Sequence, residues 1–517
     1  MPPISILQRL AAMARPAKPH PVDEMCVTYR LRLAQWAALP APPARSLRVG
    51  VVITPWLASG VPIFSLECAL GLRQAGARVK IFWDASNLMG NAPHHREAEP
   101  LAALLRQLPA DVEYITVAEH EEFAAADDGG LCEAILHENA IHRMRGESRI
   151  GDFMEQYPEA LQATRRHLAK VHQLLRVEPL DFVLIPGGVY GLSAVYLAAA
   201  QRLGLAVTTY DCDYGMHIFA HGGVACHQVD LVAAAELLEK YLLPRPAERK
   251  RIIAAAEAEL QARMEGRDAL RSQEVAAARN PEGDYNILVP LNLRWDTAAL
   301  SRQRLFASVE DWVLALLAWA ETEPDARICF RQHPGERFEA AHCVDDVGAL
   351  ISRHNRVGDR VRFVAAADKV STYDILRTVK VVLPFTGTVG VEAGMLGHPA
   401  IISTQCYYGS FPFACSAETR ADYFHLVHEA LSDHLPVTSE AREKASLLYY
   451  LTALCNMVKT SFTAAPNDVL EWLQVSPQEL WLRPENVDLV EALMTRSPLA
   501  FIRARRFAEE AEAHAAA

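Results

Sequence analysis

The stretch KVVLP, Lys380 to Pro384, runs directly into FTGTVGVEAGMLGHPAI, Phe385 to Ile401. A short apolar run closed by proline reads as a strand buried on both faces, and the residues after it read as a glycine- and threonine-lined turn that opens a helix of small residues. Strand, tight turn and helix in that order form the repeating step of a parallel α/β sheet. The turn also carries chemistry. Thr386, Gly387, Thr388 and Gly390 bring backbone N–H groups and two hydroxyls to a helix N-terminus, where the partial positive charge favours an anion.

Upstream, the strand ARICF ends in Arg331-Gln332-His333-Pro334, so a second strand end of the same region offers a cation and an imidazole. Pro334 disfavours helical backbone at the residue before it, which holds His333 extended with its ring projecting from the strand edge. Together the two strand ends suggest a nucleotide monophosphate or diphosphate leaving group.

The same rhythm extends in both directions. A first series begins after Pro40 to Pro43 with LRVGVVIT, Leu47 to Thr54, then a helix from about Pro62 that closes on Gly76, then ARVKIFWD. LDFVLIPGG, Leu180 to Gly188, and LAVTTYDCD, Leu205 to Asp213, come next, and the interval from Arg96 to Arg176 reads as mostly helical. A second series starts at YNILVPL, Tyr285 to Leu291, and continues through ARICFR, VRFVA, KVVLP and PAIIS. Strands alternating with helices predict an α/β protein of two Rossmann-like, parallel-sheet domains facing a cleft. The expected divisions are an N-terminal extension over 1–45, a first domain over 46–235, a helical linker over 236–283, a second domain over 284–435 and a helical region over 436–517.

Composition bounds the function. With 517 residues, 51% hydrophobic and 22% charged, the chain has ample material for two or three cores. A net charge of −12, from 63 acids against 51 Lys and Arg, argues against a general nucleic-acid binder. Ten scattered cysteines, none in a C-x-x-C pair, read as reduced thiols of a cytoplasmic protein. No run approaches the roughly 20 apolar residues that span a bilayer. The segment Ile4 to Arg15 reads first as a frayed terminus and second as a peripheral contact with the inner face of a membrane. His137 and His142 are five apart where helical metal ligation needs i, i+4, and no Walker, nucleophile-elbow or dinucleotide glycine motif is present, so no metal and no cofactor are expected.

Ligands of parallel sheets bind beyond the carboxyl ends of the strands. In the second domain those ends carry Asn292 and Arg294, then Arg331 to Pro334, then Thr386 to Gly390. The first domain contributes Tyr210 to Gly215, with Asp211 and Asp213 at spacing i, i+2 and therefore on one face of a strand. A carboxylate there serves as a general base for an acceptor hydroxyl or as a nucleophile toward an anomeric carbon; capping of a turn near Gly215 is the competing structural role. Glu67, on the first helix, is expected to be a solvated or capping acid.

The residues Arg331-Gln332-His333-Pro334, Thr386-Gly387-Thr388-Val389-Gly390-Val391-Glu392-Ala393 and Leu396-Gly397-His398-Pro399-Ala400-Ile401 resemble the nucleotide-binding half of bacterial capsule and surface-polysaccharide glycosyltransferases of the GT-B type. The capsule-type Kdo transferases, which use CMP-activated sugars, are the nearest likeness over Tyr285 to Ser403. The resemblance implies that His333, Pro334, Thr386 and Thr388 hold the phosphate and ribose of the nucleotide, with Asn292, Arg294, Arg331, Gly387, Gly390 and Glu392 around them. It implies a nucleotide-sugar donor as substrate, a glycan or lipid-linked acceptor on the first domain, and a catalytic Asp211 or Asp213. Thr-Gly-Thr stands where the family commonly has adjacent serines, so the nucleotide stays open. A CDP-glycerol-type glycerophosphotransferase, a nucleotide-sugar epimerase of the same fold, and a non-catalytic nucleotide-sugar binding subunit are the alternatives.

Overall fold

The computed structural model describes residues 21–40, 43, 46–56, 59–89, 92–121, 123, 128–213, 216–267, 284–456, 458–459 and 474–516. The segment Ile4 to Arg15 lies outside them. The first sheet contains β1 (Arg48–Ile53), β2 (Arg78–Trp83), β3 (Glu113–Thr116), β4 (Phe182–Pro186), β5 (Ala206–Asp213) and β6 (Met216–His221). The second contains β7 (Ile287–Pro290), β8 (Ile328–Arg331), β9 (Val361–Val364), β10 (Val381–Val382), β11 (Ala400–Ile402) and β12 (Ala414–Ser416). A last short strand, β13 (Val458–Lys459), returns to the edge of the first sheet.

The spatial orders are β13-β6-β5-β4-β1-β2-β3 and β12-β11-β10-β7-β8-β9. Apart from β13, the two sheets repeat one doubly wound order, so β1 and β4 of the first correspond to β7 and β10 of the second. Strand order reverses between those pairs, and that is where such a sheet opens a crevice. The expected α/β architecture of two Rossmann-like, parallel-dominated sheets is what the chain forms.

Each apolar strand run is buried because it serves two faces. In β1, Val49, Val51 and Ile53 enter one core and Val52 the opposite one; in β7, Ile287 and Val289 face one layer and Leu288 the other. The closing helix Leu499–Ala516 belongs to both halves, since Leu499 and Ile502 pack into the first-sheet core while Ala500, Phe501 and Ala504 pack into the second. Among the described residues, no helix is long and apolar enough to cross a membrane.

Two details add to the expectation. The mostly helical interval from Arg96 to Arg176 also contains β3, and the parallel-dominated first sheet has an antiparallel hairpin where β5 turns back into β6, with Asp211 opposite Ile218. Asp211 is therefore a residue of a continuing strand and not of a strand end that leads to a helix.

Candidate active site

At the switch point of the second sheet, the ends of β7 and β10 are clasped together. The Asn292 amide donates to Thr386 Oγ1 at 2.8 Å and its carbonyl oxygen accepts the Thr386 N–H at 3.4 Å. The helix Val389–Leu396 opens from Thr388 with no side-chain cap, and its first turn closes on backbone alone, the Gly390 N–H reaching the Gly387 carbonyl at 3.3 Å and the Val391 N–H the Thr388 carbonyl at 2.9 Å. Gly390 supplies space: a Cβ there would collide with Tyr408, whose hydroxyl donates to the Gly387 carbonyl at 2.8 Å. Gly390 thus supports the turn from behind.

On the other side of β7, at the end of β8, Pro334 opens the short turn Pro334–Arg337, and His333 caps it by accepting the Gly335 N–H on Nδ1 at 3.1 Å. That bond fixes the tautomer, with the proton on Nε2. Burial, with Arg331 and Arg263 nearby, pushes the imidazole down to about 4, so the ring is neutral near pH 7 and presents one donor.

Three residues expected at the nucleotide are engaged by groups of the protein itself. Arg331 is buried and turned back onto the β9 end, where it donates to the carbonyls of Val364, at 3.4 Å, and Ala365. Glu392 is fully buried behind the turn, accepting from the Thr388 hydroxyl at 3.2 Å and standing 3.6 Å from Arg263. Arg294 pairs with Asp345 at 2.8 Å, and Asp345 in turn accepts the N–H groups of Glu147, at 2.7 Å, and Ser148, at 3.1 Å, from the first half. A guanidinium needs acceptors when it leaves water; Asp345 and the β9-end carbonyls supply some of them, while Arg294 Nε and Nη2 and Arg331 Nε stay buried without a hydrogen-bond partner among the described residues.

That last contact is one of several that bring the β7 loop against the first half. His142 donates from Nδ1 to the Trp295 carbonyl at 3.1 Å while its ring stacks on Tyr190, 3.9 Å between centroids. His227 donates from Nε2 to the carbonyls of Thr297 and Leu300, both at 3.1 Å. Arg145 lies over the Trp295 ring, 4.4 Å from its centroid. Burial holds both imidazoles down at about 4, as neutral donors.

Asp211 lies beside this junction. It accepts the Cys226 thiol at 2.9 Å. Its charge helps to raise the Tyr190 hydroxyl, which burial raises first and a hydrogen bond to Thr297 of the second half partly offsets. Of the predicted pair, Asp211 stands next to a group that bridges the halves; the Asp213 side chain lies outside the described residues. Glu67 is neither solvated nor a cap. It is fully buried and accepts from Tyr29 at 2.6 Å, from Arg32, and from the indoles of Trp36 and Trp481 at 3.2 Å each.

Tyr190 and the turn Pro186–Gly191 were not singled out from the sequence, and His142 was weighed there only as a metal ligand. A signal was available, since IPGGVYGLS repeats the sense of LPFTGTVGV: a buried strand, a proline, glycines and a helix start.

Residues 213–412 match the family model described as Capsule polysaccharide biosynthesis protein. The match bears out the resemblance to capsule-polysaccharide biosynthesis proteins over that span, which contains Asn292, His333 and Thr386 to Glu392 and stops short of Asp211. No curated protein matches the chain. Similar solved structures include the KpsC β-Kdo 2,7 transferase of Thermosulfurimonas dismutans, 16% identical over 59% of this chain and 88% of that one, with a TM-score of 0.32. The β-Kdo 2,4 transferase of the same KpsC is 14% identical over 57% and 88%, with a TM-score of 0.35. A UDP-GlcNAc 2-epimerase from Neisseria meningitidis bound to UDP-GlcNAc is 11% identical over 84% and 99%, with a TM-score of 0.23.

Proposed function

We propose that this chain, which matches capsule polysaccharide biosynthesis proteins over residues 213–412, is a glycosyltransferase that moves a sugar from a CMP-linked donor to a glycan or lipid-linked acceptor. The observation that carries the reading is the pair of strand ends flanking β7: the clasped Asn292–Thr386 turn with its uncapped helix start, and the neutral His333 held as an Nε2 donor. Both offer donors, and the carboxylate nearest the second-sheet turn, Glu392, is buried behind it and stands 3.6 Å from Arg263, which suits the phosphate of a departing nucleotide.

In this reading Asp211 takes the proton of the acceptor hydroxyl as its oxygen bonds to the anomeric carbon. The bond from that carbon to the phosphate oxygen breaks, and its electron pair leaves with the nucleotide. His333 and the N–H groups after Thr386 stabilise the charge that develops on the phosphate. The cytoplasmic face of a membrane, where lipid-linked acceptors are available, is the proposed place of action.

The test is calorimetric titration with CMP, CDP and UDP, followed by donor turnover in the parent chain and in Asp211→Asn and Asp213→Asn. Binding of CMP above the others, with turnover lost in Asp211→Asn and CMP affinity kept, is the expected result. Binding of none of the three nucleotides would sink the reading.

A further inference from the structure

The first half carries the same device at the same topological place, with different chemistry. β4 sits beside β1 as β10 sits beside β7, and the chain leaves β4 through Gly187, Gly188 and Gly191 at φ of +67°, +124° and +63°. These are conformations that residues with a Cβ adopt only at a cost. The helix Gly191–Arg202 then starts with no side-chain cap, and its first backbone bond is the Ala194 N–H to the Tyr190 carbonyl at 3.4 Å. The N–H groups of Gly191, Leu192 and Ser193 thus form the positive end of a helix of 12 residues.

Two side chains at this turn are buried without partners. Ser193 is 1% exposed and Asn139 is 4% exposed, and neither Ser193 Oγ nor Asn139 Nδ2 has a hydrogen-bond partner among the described residues. Both border the glycines: Ser193 Oγ lies 3.8 Å from the position a Cβ would take on Gly187, and Asn139 Oδ1 lies 4.0 Å from that position on Gly191. The Trp56 ring stands over the same turn, 3.0 Å from the Gly187 position. A buried hydroxyl and amide left unpaired at an uncapped helix start call for an explanation, and a bound oxygen ligand is the one that satisfies all of them together.

We infer that the turn Pro186–Gly191 is an oxyanion subsite, which takes a carboxylate or phosphate of the acceptor on the first-turn N–H groups, the Ser193 hydroxyl and the Asn139 amide. Calling the anion the acceptor's rests on the transferase reading above; the existence of the subsite does not. Pro186, where this turn begins, lies opposite Tyr210 in the β4–β5 register, so Asp211 on β5 stands alongside the turn and an acceptor anchored here has its reacting hydroxyl brought toward the proposed base.

The experiment is calorimetric titration of the full chain with inorganic phosphate and, separately, with methyl β-glucuronide, repeated in Ser193→Ala and Asn139→Asp. The first variant removes an unpaired hydroxyl and the second sets a carboxylate of equal size against the anion. Whichever anion binds the parent chain is expected to bind at least about 10-fold more weakly in both variants, with CMP affinity unchanged, and the more affected probe identifies phosphate or carboxylate as the natural group. Ser193→Ala is further expected to melt no lower than the parent when no anion is present, since it relieves an unsatisfied group. Binding of neither anion to the parent, or equal affinity in parent and Ser193→Ala, overturns the subsite. Loss of anion affinity in the variants of a chain that binds no nucleotide upholds the subsite and removes the transferase reading instead.

Discussion

The turn after β4 and the turn after β10 occupy equivalent positions in two sheets of one strand order, yet they are built differently. The second-half turn is polar on its own account: Thr386 and Thr388 supply hydroxyls, Asn292 locks the first of them, and Glu392 receives the second. The first-half turn is glycine in left-handed backbone, and its polar groups, Ser193 and Asn139, come from helices beside it. Topology decides where a ligand can approach a doubly wound sheet, and the local residues decide what the approach is worth. The half with pre-satisfied hydroxyls is the better organised; the half with unpaired ones depends more on its ligand.

The sharpest way to break this contrast is at Asp211, the carboxylate beside the first-half turn. Asp211→Asn should lower donor turnover by about 100-fold or more with CMP affinity kept, because the amide cannot accept a proton. Steady-state kinetics beside calorimetry decides it, and parental turnover would move the chemistry away from this half.

Next in size are the nucleotide contacts. Thr388→Val and His333→Ala should each weaken CMP binding by about 1 to 3 kcal/mol, and Ser193→Ala should not. If all three behave alike, the two turns do not divide the work as described. A packing difference should accompany this. Gly390→Ala places a methyl against Tyr408 and should cost about 1 to 3 kcal/mol in urea denaturation, whereas Gly191→Ala, with space around it but φ at +63°, should cost about 1 to 2 kcal/mol from backbone alone.

The gentlest probe is pH. His142 and His227, which donate to second-half carbonyls, and His333 and His221 are all held down at about 4, below the usual 6.5. The unfolded chain binds these protons first, so stability is complete above about pH 6.5 and declines as the pH falls toward 4. Thermal melts across that window should shift downward with acid, and less so in His227→Gln; a flat profile would remove the neutral histidines from the interface.

Much of the architecture was legible in the sequence, because strands buried on both faces announce themselves as apolar runs. LRVGVVIT, LDFVLIPGG, YNILVPL and PAIIS each contain the strand observed. What escaped was short or peripheral. β3 is four residues, half of them exposed, and β13 is two residues that join an edge from far along the chain. The turn at Thr386 was readable because its hydroxyls lie in one stretch. The placements of Arg294 and Arg331 were not, since their acceptors, Asp345 and the Val364 and Ala365 carbonyls, are chosen by the tertiary fold. Asp211 was found for its chemistry but set at the wrong kind of position, because nothing in TYDCDYG separates a strand that ends from one that folds back.

Glu67 has a consequence for how the protein is made. Its carboxylate sits in the first domain's core and receives Tyr29 and Trp36 from the helix Pro21–Ala38, yet one of its donors, Trp481, is 414 residues further on. A buried carboxylate short of donors is costly, and Arg32 also needs the Val475 carbonyl. The half that leaves the ribosome first therefore cannot finish its core until the second sheet has been made and Trp481 has emerged behind it. Birth order and folding order are uncoupled, and a nascent chain paused anywhere before Trp481 holds a first half with its central carboxylate still short of a donor.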